Sequence, residues 1–272
     1  MRILLTNDDG VNAYGLEVLE QIARTLSDDI WVVAPETDQS GVSHSLTLND
    51  PLRLREIGPR HFAVKGTPTD CVIMAARYIL PRGRPDLVLS GVNRGRNAAE
   101  DVTYSGTIAA AMEGTILGVP SVAVSLVDGG DFDVAGHVAR LIAMRVLVSG
   151  LPPKTLLNVN VPAQAPRGIR LARLGHRVYM DKIVEQADPR GRSHYWIGGG
   201  DARWDSLEGT DMGAVHEGFV SLTPLHLDLT NHRALMQLDD WPAGLSAQLK
   251  GETGRPPRRT PTAAPMRKPR RG

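Results

Sequence analysis

Residues 85–125, PDLVLSGVNRGRNAAEDVTYSGTIAAAMEGTILGVPSVAVS, decide the fold class. Leu87 to Ser90 reads as a short buried strand, GVNRGRN as the loop it enters, and Thr107 to Leu117 as a helix closed by Gly118 and Pro120. Ser121 to Ser125 is the next strand. A strand, a crossover helix and a second strand form the unit of a parallel sheet.

The same alternation extends in both directions. Upstream, strand Arg2 to Thr6 leads to a helix from Tyr14 to Leu26, whose Leu16, Leu19, Ile22, Ala23 and Leu26 fall at helical spacing. Strand Ile30 to Ala34 is stopped by Pro35. A polar loop, ETDQSGVSHS, then precedes Leu46 to Ile57 and Phe62 to Lys65, which read as a small antiparallel insertion. A helix begins at Thr67, where Thr67 and Asp70 form a capping box around Pro68, and ends before Pro81. Downstream come a helix over Val134 to Val148 and a strand over Leu156 to Val161. Ile169 to Tyr179 and Tyr195 to Ile197 then flank a polar stretch containing DPRG, the pattern of a projecting hairpin or arm suited to subunit contacts. Val215 to Leu222 reads as a returning strand and Leu229 to Leu238 as a terminal helix. The expected fold is α/β, a doubly wound and mostly parallel sheet with a C-terminal hairpin extension.

The 272 residues are 42% hydrophobic, enough for a substantial core. No run of 18 apolar residues is present, and Met1 is followed at once by strand rather than by a basic and then an apolar segment. A membrane span and a signal peptide are therefore not expected. The single cysteine, Cys71, reads as a buried core residue and fits a reducing, cytoplasmic compartment. The net charge of +1 conceals an asymmetry: from Lys250 onward eight Lys or Arg face one acid, whereas the preceding chain has 23 basic and 29 acidic residues. Residues 250–272, rich in Pro, Gly and Arg, are expected to be a disordered basic tail. Residues 1–249 form the folded part, with a core over about 1–165 and an extension over about 166–249. Such a tail could contact nucleic acid, but the acidic body weighs against it, and a solvated extension is the expectation.

Chemistry concentrates where strands end. Strand 1 runs straight into Asp8 and Asp9, at the edge where open α/β sheets bind ligands. Two carboxylates about 4 Å apart repel by about 4 kcal/mol at an effective dielectric near 20, so a cation between them is expected. The plainer reading makes Asp9-Gly10 a turn and Asp8 a cap for the following helix. Loops 39–45, 91–97 and 104–107 should reach the same edge. Asp8, Asp9, Ser40 and Asn93 then offer carboxylate, hydroxyl and amide oxygens, the donor set of one hard divalent cation such as Mg²⁺ or Mn²⁺. Neither HExxH nor CxxC occurs, which argues against zinc. Ser105, Gly106 and Thr107 open an Ala-rich helix whose free N–H groups would suit a phosphate, and Asn97 belongs to the neighbouring loop. GVNRGRN does not fit GxGxxG, and acids stand where a dinucleotide site has glycines.

MRILLTNDDG, APETDQSGVSHSLTL, GTPTDCV and the 85–125 stretch, with LLNVNVP, DPRG, YWIGG, GTD and FVSLTPLHLDLT later, resemble the SurE family of metal-dependent nucleoside-monophosphate phosphatases over about residues 1–245. The resemblance implies a Rossmann-like core, a divalent ion held by Asp8, Asp9, Ser40 and Asn93, and a homodimer or homotetramer built by exchange of C-terminal elements. It also implies hydrolysis of nucleoside 5′- and 3′-monophosphates, with polyphosphate as a further substrate.

The expected reaction is attack by metal-activated water, with Asp8 and Asp9 holding the ion and one of them taking a proton. Asn97, Ser105, Gly106 and Thr107 would hold the phosphoryl oxygens. The adjacent DD lacks the DxD spacing of phosphatases that form an aspartyl phosphate. Two alternatives stay open: a nucleotide- or metal-binding regulatory module without turnover, and a nucleic-acid binder acting through the tail.

Overall fold

The computed structural model describes residues 1–81, 83–178, 183–197, 203–204 and 207–252. They form two compact units, one over Met1–Asp228 and the other beginning at Leu229. In chain order the first unit contains β1 (Arg2–Thr6), α1 (Tyr14–Arg24), β2 (Asp29–Pro35), β3 (Arg53–Gly58), β4 (His61–Lys65), α2 (Pro68–Met74), β5 (Leu87–Arg94), α3 (Gly106–Ile116), β6 (Ser121–Leu126), α4 (Phe132–Ser149) and β7 (Thr155–Val161). It continues with β8 (Ile169–Leu171), β9 (Arg177–Val178), β10 (Ile183–Ala187), β11 (Ser193–Ile197), β12 (Arg203–Trp204), α5 (Asp211–His216) and β13 (Val220–His226). The second unit has α6 (His232–Gln237) and α7 (Trp241–Glu252).

Nine strands make one sheet in the order β3-β4-β2-β1-β5-β6-β7-β13-β8. From β4 to β7 every neighbouring pair is parallel, while β3 and β13 join antiparallel at the two flanks. The period-two rule explains why these strands read as continuous apolar runs. Ile3 and Leu5 face the layer of α1 and α4, with Leu19, Val138 and Ile142. Leu4 faces the opposite layer with Val33, Val88, Cys71 and Ala110. Cys71 is fully buried, as expected, and burial pushes its thiol pKa up.

The chain leaves β1 toward β2 on one side and later places β5 on the other. The order therefore reverses between β1 and β5, and a crevice opens outside their carboxyl ends. Asp8 and Asp9 follow the first of these strands, and Asn93 lies near the end of the second.

Several expectations are corrected. The insertion pairs antiparallel over 53–65, but 46–52 is irregular chain, and β4 also joins the main sheet beside β2. The helix from Thr67 has its capping box and ends before Pro81 as expected, but its last turn, Ala75–Ile79, is π rather than α. Val215 sits in α5; the strand starts at Val220, after the turn through Gly218. Ile169 to Leu171 is an edge strand of the main sheet rather than part of an arm. The hairpin itself is β10 against β11, all exposed, with the DPRG turn closed by Asp188. Residues 179–182 and 198–202, inside the expected arm, lie outside the described residues, as do 253–272 of the expected tail. Trp241–Glu252 is a helix that the composition did not announce. Among the described residues no helix is long and apolar enough to cross a membrane.

Candidate functional site

Four segments meet at the crevice. The loop after β1 carries Asp8, which is buried, and Asp9, which is half-buried. The 36–47 segment has no regular structure but is pinned throughout. The Gln39 N–H donates to the Asp8 carbonyl at 2.8 Å, and the Ser43 N–H to that of Tyr104 at 3.0 Å. His44 Nε2 lies 3.0 Å from Glu113 of α3, and the Thr47 hydroxyl donates to Asp70 at 2.6 Å. Such anchoring ties Gln39, the residue before the exposed Ser40, to Asp8. The end of β5 brings Asn93, and the next residue, Arg94, donates its N–H to Asp9 Oδ2 at 3.4 Å. The start of α3 brings Thr107, whose hydroxyl donates to Asp8 Oδ1.

Gly106 makes that last approach possible. A Cβ there would stand 2.7 Å from Asp8 Cβ and 2.9 Å from its Oδ2, so only glycine lets α3 come so near. Asp8 is no helix cap; Ala13 precedes α1 without a side-chain cap, and the turn is closed by Asn7, whose amide donates to the Gly10 carbonyl at 2.9 Å.

The two acids are electrostatically loaded. Burial raises the Asp8 pKa above its ordinary value, against the opposing Thr107 hydroxyl and N–H. Asp9 is raised to about 6, first by burial and then by the charge of Asp8, with Asp38 adding to both. Among the described residues neither forms an ion pair with Lys, Arg or His. The neutral donors beside them are oriented. Asn93 commits its amide N–H to the Gly95 carbonyl at 2.8 Å, which leaves Oδ1. Ser40 gives its hydroxyl proton to Asp38 Oδ1 at 2.6 Å, which leaves its oxygen lone pairs. Among the described residues no three His, Cys, Asp or Glu are placed to hold a metal. Two acids, an amide oxygen and a hydroxyl are instead the kinds of oxygen donor that could hold Mg²⁺ or Mn²⁺.

The residues expected to grip phosphate are engaged within the protein. Ser105 Oγ accepts the Ile108 N–H at 3.1 Å as the cap of α3, and Thr107 is fully buried against Asp8. Asn97 is buried: its amide donates to Ser125 Oγ at 2.9 Å and its N–H to Asn160 Oδ1 at 2.8 Å. Asn158 and Asn160 of β7 both donate to the Asn97 carbonyl. Their function in fixing this loop escaped the sequence reading, although two asparagines on an otherwise apolar strand were a visible signal.

The model of the family described as "Survival protein SurE" matches residues 3–181. The chain belongs to the SurE family. A 5′-nucleotidase SurE from Bradyrhizobium sp. (strain ORS 278) is 58% identical over 243 residues, covering 85% of this chain and 95% of that one. The SurE relative from Rhodopseudomonas palustris (strain TIE-1), also named a 5′-nucleotidase, is 56% identical over 247 residues with the same coverage. The crystal structure of the SurE protein from Aquifex aeolicus is 43% identical, with a TM-score of 0.78 over 89% of this chain and 99% of that one.

Proposed function

We propose that this chain is a metal-dependent phosphomonoesterase that releases inorganic phosphate from nucleoside 5′-monophosphates. The observation that carries this reading is the pair Asp8 and Asp9, raised in pKa at the switch point against the weaker opposing charge of Arg94 and, among the described residues, forming no ion pair, with Ser40 and Asn93 on the neighbouring segments keeping oxygens uncommitted. The names of the SurE relatives supply the reaction class.

One Mg²⁺ or Mn²⁺ per chain, bound by Asp8, Asp9, Ser40 and Asn93, supplies Lewis acidity and lowers the pKa of water. The protein's part is placement. Thr107 holds Asp8 in one orientation, Gly106 allows the contact, Ser105 caps the helix whose positive end faces the crevice, and Asn97 locks its loop onto β7. Asp9 Oδ1, on the more accessible carboxylate, accepts the proton of attacking water. Nucleoside 3′-monophosphates and polyphosphate present the same terminal group and are expected as further substrates.

Self-association into a homodimer or homotetramer is supported by the exposed Ile183, Tyr195, Trp196 and Ile197 of the hairpin, and a cytoplasmic setting by the lone buried cysteine. The test is steady phosphate release from AMP with Mn²⁺. Loss of release on chelation and in Asp9→Asn supports the reading; full activity in either condition overturns it.

A further inference from the structure

Asp38, on the segment between β2 and β3, lies outside the donor set, yet its carboxylate grips one member of it. Oδ1 accepts the Ser40 N–H at 2.7 Å and the Ser40 hydroxyl at 2.6 Å. One oxygen thus fixes the backbone and the side chain of the same residue. The shape of the loop needs only the first of these bonds, the side-chain-closed turn common at Asp. The second acts on the donor atom itself, because it commits the only proton of the hydroxyl and leaves the lone pairs of Ser40 Oγ for another partner.

This turn is pressed against the loop that holds the two acids. The N–H of Gln39, between Asp38 and Ser40, donates to the Asp8 carbonyl at 2.8 Å, and the Val11 N–H to the Pro35 carbonyl at 2.8 Å. Gly10, at φ +101, is where the segments meet: a Cβ there would stand 3.2 Å from the Thr37 carbonyl carbon and 3.4 Å from the Asp38 nitrogen. The charge of Asp38 accordingly reaches both Asp8 and Asp9. A hydroxyl oxygen that lends a lone pair to a cation releases its proton more readily, so its bond to a carboxylate strengthens when the ion is present. Carboxylates behind metal-ligating histidines act in the same way, by orienting the ligand and raising its donor strength.

We infer that Asp38 is a positioning residue for the divalent ion: it takes the Ser40 hydroxyl proton, fixes Ser40 Oγ with its lone pairs free, and strengthens that oxygen as a metal donor. The inference rests on the metal-dependent reading above, and its test reads binding rather than hydrolysis. Mn²⁺ is titrated to millimolar concentration into the full chain, and the free ion is followed by electron paramagnetic resonance, so that weak sites are resolved too. Asp38 is exposed, and its variants are expected to fold. Loss of a hydrogen bond to a charged acceptor corresponds to about tenfold in affinity, and a neutral acceptor restores part of it. Asp38→Ala is therefore expected to weaken Mn²⁺ binding about tenfold, and Asp38→Asn, which keeps an acceptor oxygen, about threefold. In a Ser40→Ala background the hydroxyl is gone, and adding Asp38→Ala should change the affinity by less than about twofold. A full tenfold loss in that background, no loss in Asp38→Ala alone, or an Asp38→Asn protein as weak as Asp38→Ala overturns the positioning role and leaves the metal reading standing. A wild type that leaves Mn²⁺ free, or a Ser40→Ala protein that binds it as the wild type does, overturns both.

Discussion

Replacing Asp9 with Asn is expected to make the metal-free protein more stable while removing its activity. Burial and the Asp8 charge raise the Asp9 pKa from 3.8 to about 6 in the folded chain. A carboxyl raised on folding binds its proton more tightly in the native than in the unfolded state. Its charged form therefore costs stability, by nothing below about pH 4 and by the full amount above about pH 6. At about 1.4 kcal/mol per pH unit the full penalty would be about 3 kcal/mol, and solvent around the half-exposed carboxylate reduces it to about 1–2 kcal/mol. Asn cannot ionise, and its amide oxygen can keep the long bond from Arg94. Urea unfolding in chelator should thus show Asp9→Asn more stable than wild type by about 1–2 kcal/mol at pH 7.5 and indistinguishable at pH 3.5, with m unchanged. Added Mn²⁺ should reverse the order at pH 7.5, because the ion binds only the native wild-type site. A metal-free variant no more stable than wild type at pH 7.5 would refute the claim that the Asp9 carboxylate is held against burial and the charge of Asp8.

Gly106→Ala places a Cβ within 3 Å of Asp8 and should cost about 1–3 kcal/mol in urea unfolding, with weakened Mn²⁺ binding by calorimetry as α3 is pushed away. Thr107→Val removes the hydroxyl that orients Asp8 at nearly constant volume; about tenfold weaker Mn²⁺ binding with an unchanged far-UV spectrum is the expected pair of results. Asp211 is fully buried and accepts the N–H groups of Ala99 and Gly175 at 2.8 and 2.9 Å, so Asp211→Ala should lower stability by about 3 kcal/mol or more without touching the metal donors directly.

The core of the fold was legible because buried parallel strands and amphipathic helices write themselves as apolar runs and 3.6-residue spacing: β1 has the bounds its sequence suggests, and α1, α3 and α4 fall within two residues of theirs. Chain propensity did not show where strands cease. The run GVNR reads as a loop, yet β5 continues to Arg94, because Gly91, at φ +132, lets the strand press against the Val124 carbonyl of β6, where a Cβ would lie 2.3 Å away. That contact depends on a neighbour 33 residues on. The same holds at the site. Asp8, Asp9, Ser40 and Asn93 were candidates on residue type alone, and Asn93 lies within β5 rather than in the loop its sequence suggests. Thr107 looked like part of an anion-binding helix start, and its engagement with Asp8 arises from the close approach of the start of α3 to the loop after β1, which Gly106 permits. Val215 marks the weaker region, where short elements between glycines leave no period long enough to read.

Crystals grown with Mn²⁺ and measured at the manganese absorption edge would test the central claim most directly. One anomalous peak per chain, bonded to oxygens of Asp8, Asp9, Ser40 and Asn93, is the predicted result. A peak bound elsewhere, or density showing Asp8 and Asp9 without a metal at saturating Mn²⁺, would contradict it.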